Sequence, residues 1–265
     1  PLRKTPSGMK QPLRTLVLAL CCGLAAACTQ RPEHLKLMSY NIRNGIGIDN
    51  IQDIGRIARV ILREAPDLVA LQELDSATLR VDGRYIPGEL GRMTGMHATF
   101  GRAIGFAGGS YGIGLLSRTE PLAVRSIPLP GREEARVLLM AEFPDYTVCV
   151  THLSLTPEDR HASLPIIREA TDTCRKPVLL AGDFNTGNAA AVLAGLGGGF
   201  RILSDTTRMT FPSDNPAVRI DYILGRGLPT SATVAESAVD HTATASDHCP
   251  LWVTLVWKRG KQPGK

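Results

Sequence analysis

Large aromatic side chains are scarce in this 265-residue chain, at 5%, while 26 glycines and 18 prolines punctuate it. Such a composition suits many short elements joined by turns. No GxGxxG or P-loop sequence is present, so nothing supports a regular parallel nucleotide-binding sheet. No CxxC pair and no Cys/His ligand spacing occurs, which removes structural zinc from the expectations. From residue 35 onward there is no long linker, no low-complexity tract and no clear internal repeat, so one domain is expected from Leu35 to Trp257.

A bulk positive field is also missing, despite a formal net charge of +5. Four of the basic residues, Arg3, Lys4, Lys10 and Arg14, lie within residues 1–27, which hold no acid. Four more, Lys258, Arg259, Lys261 and Lys265, form a basic tail over 258–265. Without these eight, 22 basic residues face 25 acidic ones, a net of −3. A mildly acidic body argues against tracking long nucleic acid over a broad footprint.

The stretch MKQPLRTLVLALCCGLAAAC reads as an export signal: a basic start, an apolar run from Leu16 to Leu20, then Ala25, Ala26 and Ala27 before Cys28. It is short for a membrane span. A cysteine directly after small residues resembles a bacterial lipobox, although Leu24 stands four before Cys28 where that motif has its leucine three before. Residues 1–28 are therefore expected to direct export, with Cys28 lipidated and the protein anchored at a membrane in the periplasm or on the cell surface, or otherwise secreted. Met9 is read as the start, leaving residues 1–8 as an artefact of the assigned beginning. Cys149, Cys174 and Cys249 then remain, an odd number that leaves at least one thiol free, and all three read as core residues.

Along the body, LKLMSYNI (35–42) and DLVALQEL (67–74) read as strands, with a helix between them capped by Asp49 or Asn50 and buried through Ile51, Ile54, Ile57, Ala58, Ile61 and Leu62. Residues 112–118, 135–143 and 146–154 give further strands. Thr156, Pro157, Glu158 and Asp159 start a helix running to Arg175, and NAAAVLAGL (188–196) gives a short one. RIDYIL (219–224) and PLWVTLVW (250–257) close the domain. Strands followed sometimes by helices and sometimes by strands point to a mixed α/β sandwich.

The run PVLLAGDFNTGN (177–188) raises a choice. An apolar run ending in Asp183 and Asn185 is either a strand passing into an ordinary turn or a strand presenting two polar groups to a ligand. Other strand ends carry comparable groups: Asn41, Glu73, His152, Asp221, and Asp247 with His248. Asp221, within an apolar strand, needs a partner when buried, and His248 is the candidate. The set offers hard oxygen ligands and two imidazoles without thiolate, which suits Mg²⁺ or Mn²⁺. A carboxylate-held cation, two imidazoles and an amide are the requirements of phosphoester hydrolysis.

The ordered series SYNIR, LQELD, YGIGLLSR, THLS, AGDFN, RIDYIL and SDH resembles the endonuclease/exonuclease/phosphatase superfamily, over about Leu35 to Trp257. That superfamily includes pancreatic deoxyribonuclease, abasic-site endonucleases, bacterial sphingomyelinases and inositol polyphosphate phosphatases. The resemblance implies a four-layer α-β-β-α sandwich of two mixed sheets with helices outside. It also implies that Glu73 is the principal Mg²⁺ ligand, with Asn41 beside it and Asp247 completing the metal site. By the same resemblance Asp183 orients or deprotonates the attacking water and Asn185 holds a phosphoryl oxygen. His152 donates to the phosphate, and His248 contacts the phosphate or moves a proton, its tautomer fixed by Asp221. Arg136, in EEARVLL, matches a family arginine that approaches the phosphate. Abasic-site endonucleases commonly carry aspartate two residues after the first asparagine; here Arg43 takes that place and adds an anion contact.

The expected activity is metal-dependent hydrolysis of a phosphoester, with a diester favoured. The substrate stays open between a small molecule, a lipid head group and nucleic acid, and a sphingomyelinase-like or DNA-cleaving enzyme and a non-catalytic lipid-anchored binding protein are the other readings. Sphingomyelinases carry an exposed apolar hairpin; here RAIGFAGGSYG (102–112) offers only Phe106 and reads as a flexible wall of the site. A monomer is expected, with no protein partner inferable.

Overall fold

A strand whose residues are apolar at both odd and even positions must be covered on both faces. Strand β1 (Glu33–Asn41) is of this kind: Leu35 and Leu37 face one core, Met38 and Tyr40 another. The computed structural model describes residues 1–2 and 33–257. The export signal, the Cys28 lipidation site and the basic tail expected from the sequence lie outside the described residues. Among the described residues no helix is long and apolar enough to cross a membrane.

Two six-stranded mixed sheets form the centre. The first runs, in order of pairing, β11 (Thr233–Val239), β12 (Leu251–Trp257), β1, β2 (Leu68–Ser76), β4 (Gly109–Ser117) and β3 (His97–Phe106). The second runs β5 (Ala123–Leu129), β6 (Arg136–Glu142), β7 (Thr147–His152), β8 (Val178–Asp183), β10 (Asp221–Arg226) and β9 (Arg201–Ile202). Each sheet holds one parallel pair, β1–β2 and β7–β8, flanked by antiparallel strands. Parallel neighbours need a crossover, and here α1 (Ile54–Glu64) and α3 (Pro157–Asp172) supply it. Leu37, Ala70, Leu115, Leu139, Val150 and Ala181 pack in the core between the sheets. Helix α1 and α2 (Ile86–Thr94) cover the outer face of the first sheet, while α3 and α4 (Ala189–Leu196) cover that of the second. This is the expected four-layer sandwich.

Several boundaries differ from the sequence reading. Helix α1 is capped by Asp53, whose Oδ1 accepts from Arg56 N at 3.2 Å. Asp49 is committed elsewhere, to the backbone N–H of Ile51 and the Arg56 guanidinium, so Ile51 stays outside the helix and exposed. Helix α2 and strands β3, β5, β9 and β11 were not among the expected elements. Residues 102–112, expected as a flexible wall of the site, belong to the β3–β4 hairpin, and Ala103, Tyr111 and Gly112 line a small cavity with Arg136 and His152. The hairpin's turn residues Ala107 and Gly108 both have positive φ, the geometry that matches strand twist, and Arg80 stacks over the Phe106 ring. Helix α3 ends at Asp172, short of Arg175. Cys149 and Cys249 are buried, Cys174 is half-buried, and all three are free thiols.

Two local features hold the end of the second sheet. Gly182 pairs with Thr151 across β7–β8, and a Cβ at Gly182 would fall on the Thr151 carbonyl oxygen. Glu133, in the β5–β6 loop, accepts from Ser154 Oγ (2.7 Å), Leu155 N (2.8 Å) and Thr156 Oγ1 (3.2 Å), and pairs with Arg136 at 3.3 Å. Thr156 therefore begins α3 without a side-chain cap bond, its hydroxyl being spent on Glu133. Partial burial alone would raise the Glu133 pKa, but these donors outweigh it and bring it from 4.5 down to about 2.

Gly182→Ala is expected to destabilise the protein by about 2–3 kcal/mol in chemical denaturation, because backbone cannot yield as a side chain can. A group whose folded pKa is depressed stabilises the fold above its unfolded pKa and loses that contribution on acidification. The wild type should therefore lose stability relative to Glu133→Gln as pH falls from 4.5 to about 2, measured as the difference between their melting temperatures across that range.

Candidate active site

Pairing register assembles the first half of the site. His152, the last residue of β7, lies opposite Asp183, the last of β8, and Asp183 lies opposite Asp221, the first of β10. Residues in register on adjacent strands project to the same side, so these three side chains stand in one row, all buried. The facing sheet adds Asn41 at the end of β1. Its Nδ2 donates to Glu73 Oε1 at 2.9 Å and to Asp183 Oδ2 at 3.2 Å, so one amide joins carboxylates carried by different sheets.

Glu73 reaches that position through a break in strand geometry. The β2–β4 register shifts between Leu71 and Leu74, and Glu73 has φ +60°. Strict alternation would send residue 73 under the helices beside Leu71; the extra residue lets Leu74 take that place and turns Glu73 to the site. A non-glycine residue held there costs about 1–3 kcal/mol. Asn41 is fixed as firmly: Arg43 N donates to its Oδ1 at 3.1 Å, and Ser246 Oγ donates to its carbonyl at 2.7 Å.

The two imidazoles meet opposite partners. His248 Nδ1 lies 3.0 Å from Asp221 Oδ2, its Nε2 lies 3.7 Å from Asp183 Oδ2, and Phe211 packs on its ring at 4.8 Å between centroids. Burial alone would lower its pKa, but the charges of Asp221, Asp183 and Asp247 push it up to about 10. His152 Nδ1 instead lies 3.2 Å from Arg136 Nη1, and its Nε2 lies 3.6 Å from Asp183 Oδ2. Burial, Arg136 and His248 together hold it well below the usual histidine range. Between them Asp183 is pushed up to about 7 by burial and by Asp221, against His248 and the hydrogen bonds from Asn185 N and Asn41.

Three of the expected residues also hold internal partners. Asn185, at φ +49°, donates Nδ2 to Leu153 O at 2.8 Å and so ties β8 to β7; one amide hydrogen remains for a phosphoryl oxygen. Asp247 is a third exposed at its side chain, 3.5 Å from Arg43 Nε, and accepts from Ser246 Oγ at 3.3 Å. Its carboxylate pairs with the Arg43 guanidinium, so Arg43 has an internal partner. Arg136 is 6% exposed and meets His152, Glu133 and Glu134.

Sequence reasoning missed the supports: Glu133 and Glu134 around Arg136, Ser246 under Asn41, and Thr210, whose Oγ1 accepts from Asp221 N at 3.4 Å. It also missed Gln72, fully buried beside Asn41 in register, with neither amide atom hydrogen-bonded. The donor set fits a hard divalent cation. One ligand atom from each of Asp183, Asp221 and His248 lies within 4.8 Å of the others, and Glu73, bonded to the same Asn41 amide as Asp183, adds carboxylate oxygens. Asp183, raised to about 7 by burial and then by the neighbouring Asp221, marks a buried acidic cluster that a cation would relieve.

A model of the Endonuclease/Exonuclease/phosphatase family matches residues 38–248. Among solved structures, an endonuclease/exonuclease/phosphatase from Beutenbergia cavernae DSM 12333 aligns with TM-score 0.68 at 23% identity, over 86% of this chain and 72% of its own. The mannosyl-6-phosphatase Bt3783 of Bacteroides thetaiotaomicron VPI-5482 aligns with TM-score 0.67 at 19% identity, over 84% of this chain and 100% of its own. A humanized D. rerio TDP2 aligns with TM-score 0.64 at 21% identity, over 84% of this chain and 98% of its own. At these identities the structures speak for the fold, and the family match covers most of the chain, including every strand end that bears a candidate group. The chain belongs to the endonuclease/exonuclease/phosphatase family.

Proposed function

We propose that this protein hydrolyses a phosphodiester with the help of a divalent cation, Mg²⁺ or Mn²⁺. The observation that carries the reading is the placement of Asp183 between His152 and His248, with Asn41 linking it to Glu73. Glu73 would hold the cation beside Asn41, and when bound the cation supplies positive charge against the phosphoryl oxygens. Asp183, near pH neutrality in its titration, takes the proton of the attacking water. His248, protonated and oriented by Asp221, serves the departing oxygen. His152 and the spare amide hydrogen of Asn185 bind the phosphoryl oxygens as charge builds.

The charge balance favours a diester over a monoester. Arg43, Arg80 and Arg136, all at the site's edge, spend their charge on Asp247, on Asp75, and on Glu133 with Glu134. His248 is then the cationic group facing Asp183, which suits a substrate with one negative charge at the reacting phosphorus.

Chelator-stripped protein should regain turnover of bis-p-nitrophenyl phosphate on addition of Mg²⁺ or Mn²⁺, and p-nitrophenyl phosphate should be the poorer substrate. Asp183→Ala and Asp221→Asn should each lower kcat by roughly a hundredfold or more. Turnover that survives chelation, or that is confined to the monoester, would sink the reading; plasmid DNA and sphingomyelin in the same assay separate nucleic acid from lipid head group.

A further inference from the structure

We infer that Arg136 is a positioning residue that fixes the tautomer of His152, leaving Nδ1 bare and placing the ring's single proton on Nε2, which faces Asp183. A guanidinium has donors and no acceptor. Arg136 Nη1 stands 3.2 Å from His152 Nδ1, so the ring nitrogen must be the acceptor. The remaining nitrogen, Nε2, then carries hydrogen and points into the row of acids, 3.6 Å from Asp183 Oδ2. At His248 the partner is a carboxylate, which only accepts, and the proton is drawn to Nδ1. The site thus contains two imidazoles set in opposite senses by partners of opposite charge.

Arg136 is suited to this role because it cannot turn away. Its side chain is 6% exposed, Glu134 Oε1 takes the same Nη1 at 3.1 Å, and Glu133 Oε1 takes Nη2 at 3.3 Å. Glu133 is itself held by Ser154, Leu155 and Thr156, the residues that follow His152 in the chain. The two glutamates hold the guanidinium in place, and its charge beside Nδ1 disfavours a second proton on the ring. Under the phosphodiester reading, on which its purpose rests, His152 offers a ready N–H to a phosphoryl oxygen and is a hydrogen-bond donor rather than a proton donor. The leaving oxygen must then draw its proton through the His248 side.

The tautomer can be read without any substrate. Full-length protein carrying ¹⁵N-histidine would be examined by long-range ¹H–¹⁵N correlation, with His152 assigned by the signal missing in His152→Gln. The wild type should show a protonated Nε2 and a bare Nδ1. In folded Arg136→Met the pattern should become an average over both tautomers. The kcat for bis-p-nitrophenyl phosphate should fall about 10- to 100-fold, as when an imidazole loses its orienting partner. KM should change little. A proton on Nδ1 in the wild type, on its own or with Nε2 also protonated, would overturn the assignment, and so would an unchanged His152 signature in folded Arg136→Met. Should Arg136→Met fail to fold, the wild-type spectrum decides alone. If no phosphoester is turned over yet the Nε2–H tautomer is present, the positioning role of Arg136 stands and only the reaction assigned to the site falls.

Discussion

A carboxylate withdrawn from water needs either charge or hydrogen bonds to stay ionised, and Asp183 is placed so that its supply is incomplete. It receives the Asn185 backbone N–H on one oxygen and the Asn41 amide on the other, with His248 beyond hydrogen-bonding distance at 3.7 Å and another acid, Asp221, across the ladder. The remaining arrangement follows from that shortage. Asn41 has to come from the facing sheet, which ties the two sheets together at their carboxyl ends. Asp221 needs His248, and His248 can reach it because the segment before β12 is latched to β1 by Ser246. A group left short of partners by its own fold is one that a cation or a water proton can satisfy, and the chemistry assigned to the site begins there.

The geometry of the row also explains why two histidines in one site need not duplicate each other. Both rings are buried and both approach Asp183 through Nε2. Their difference is written entirely at Nδ1, where one meets a guanidinium and the other a carboxylate. The same residue type therefore behaves as a neutral polar donor on β7 and as a cation beside β10. Neighbouring residues, rather than the rings themselves, divide the labour.

Much of this was legible in the amino-acid order. PVLLAGDFN gave β8 with its polar tip, and NAAAVLAGL gave α4 down to its Asn188 cap, because strong local signals and the final fold agree there. The spacing of Leu71 and Leu74 in LQEL is the visible trace of the bulge that frees Glu73, since uninterrupted alternation would separate them by two. Other features had no local signature. Strands β5 and β11 lie at sheet edges and are largely exposed, so neither shows a buried apolar face. The partners of Arg136 and Asp247 are set by loops meeting across the fold. Sequence spacing named the residues, but it could not show that an arginine would face a histidine or that Arg43 would occupy Asp247. Nor does the sequence reveal that each sheet repeats the same scheme, a parallel pair bridged by a helix and flanked by antiparallel strands, because that likeness lies in the backbone and not in the residues.

The pairing of β1 with β12 has a further consequence for how the protein comes into being. Ser39 near the end of the first strand lies opposite Leu251 at the start of the last, and Ser246 and His248 precede that last strand by only a few residues. Asn41 emerges early in synthesis, yet the hydroxyl that holds its carbonyl and the imidazole that faces Asp183 arrive about 200 residues later. Completion of the row is thus deferred until His248, about 200 residues after Asn41, has been delivered.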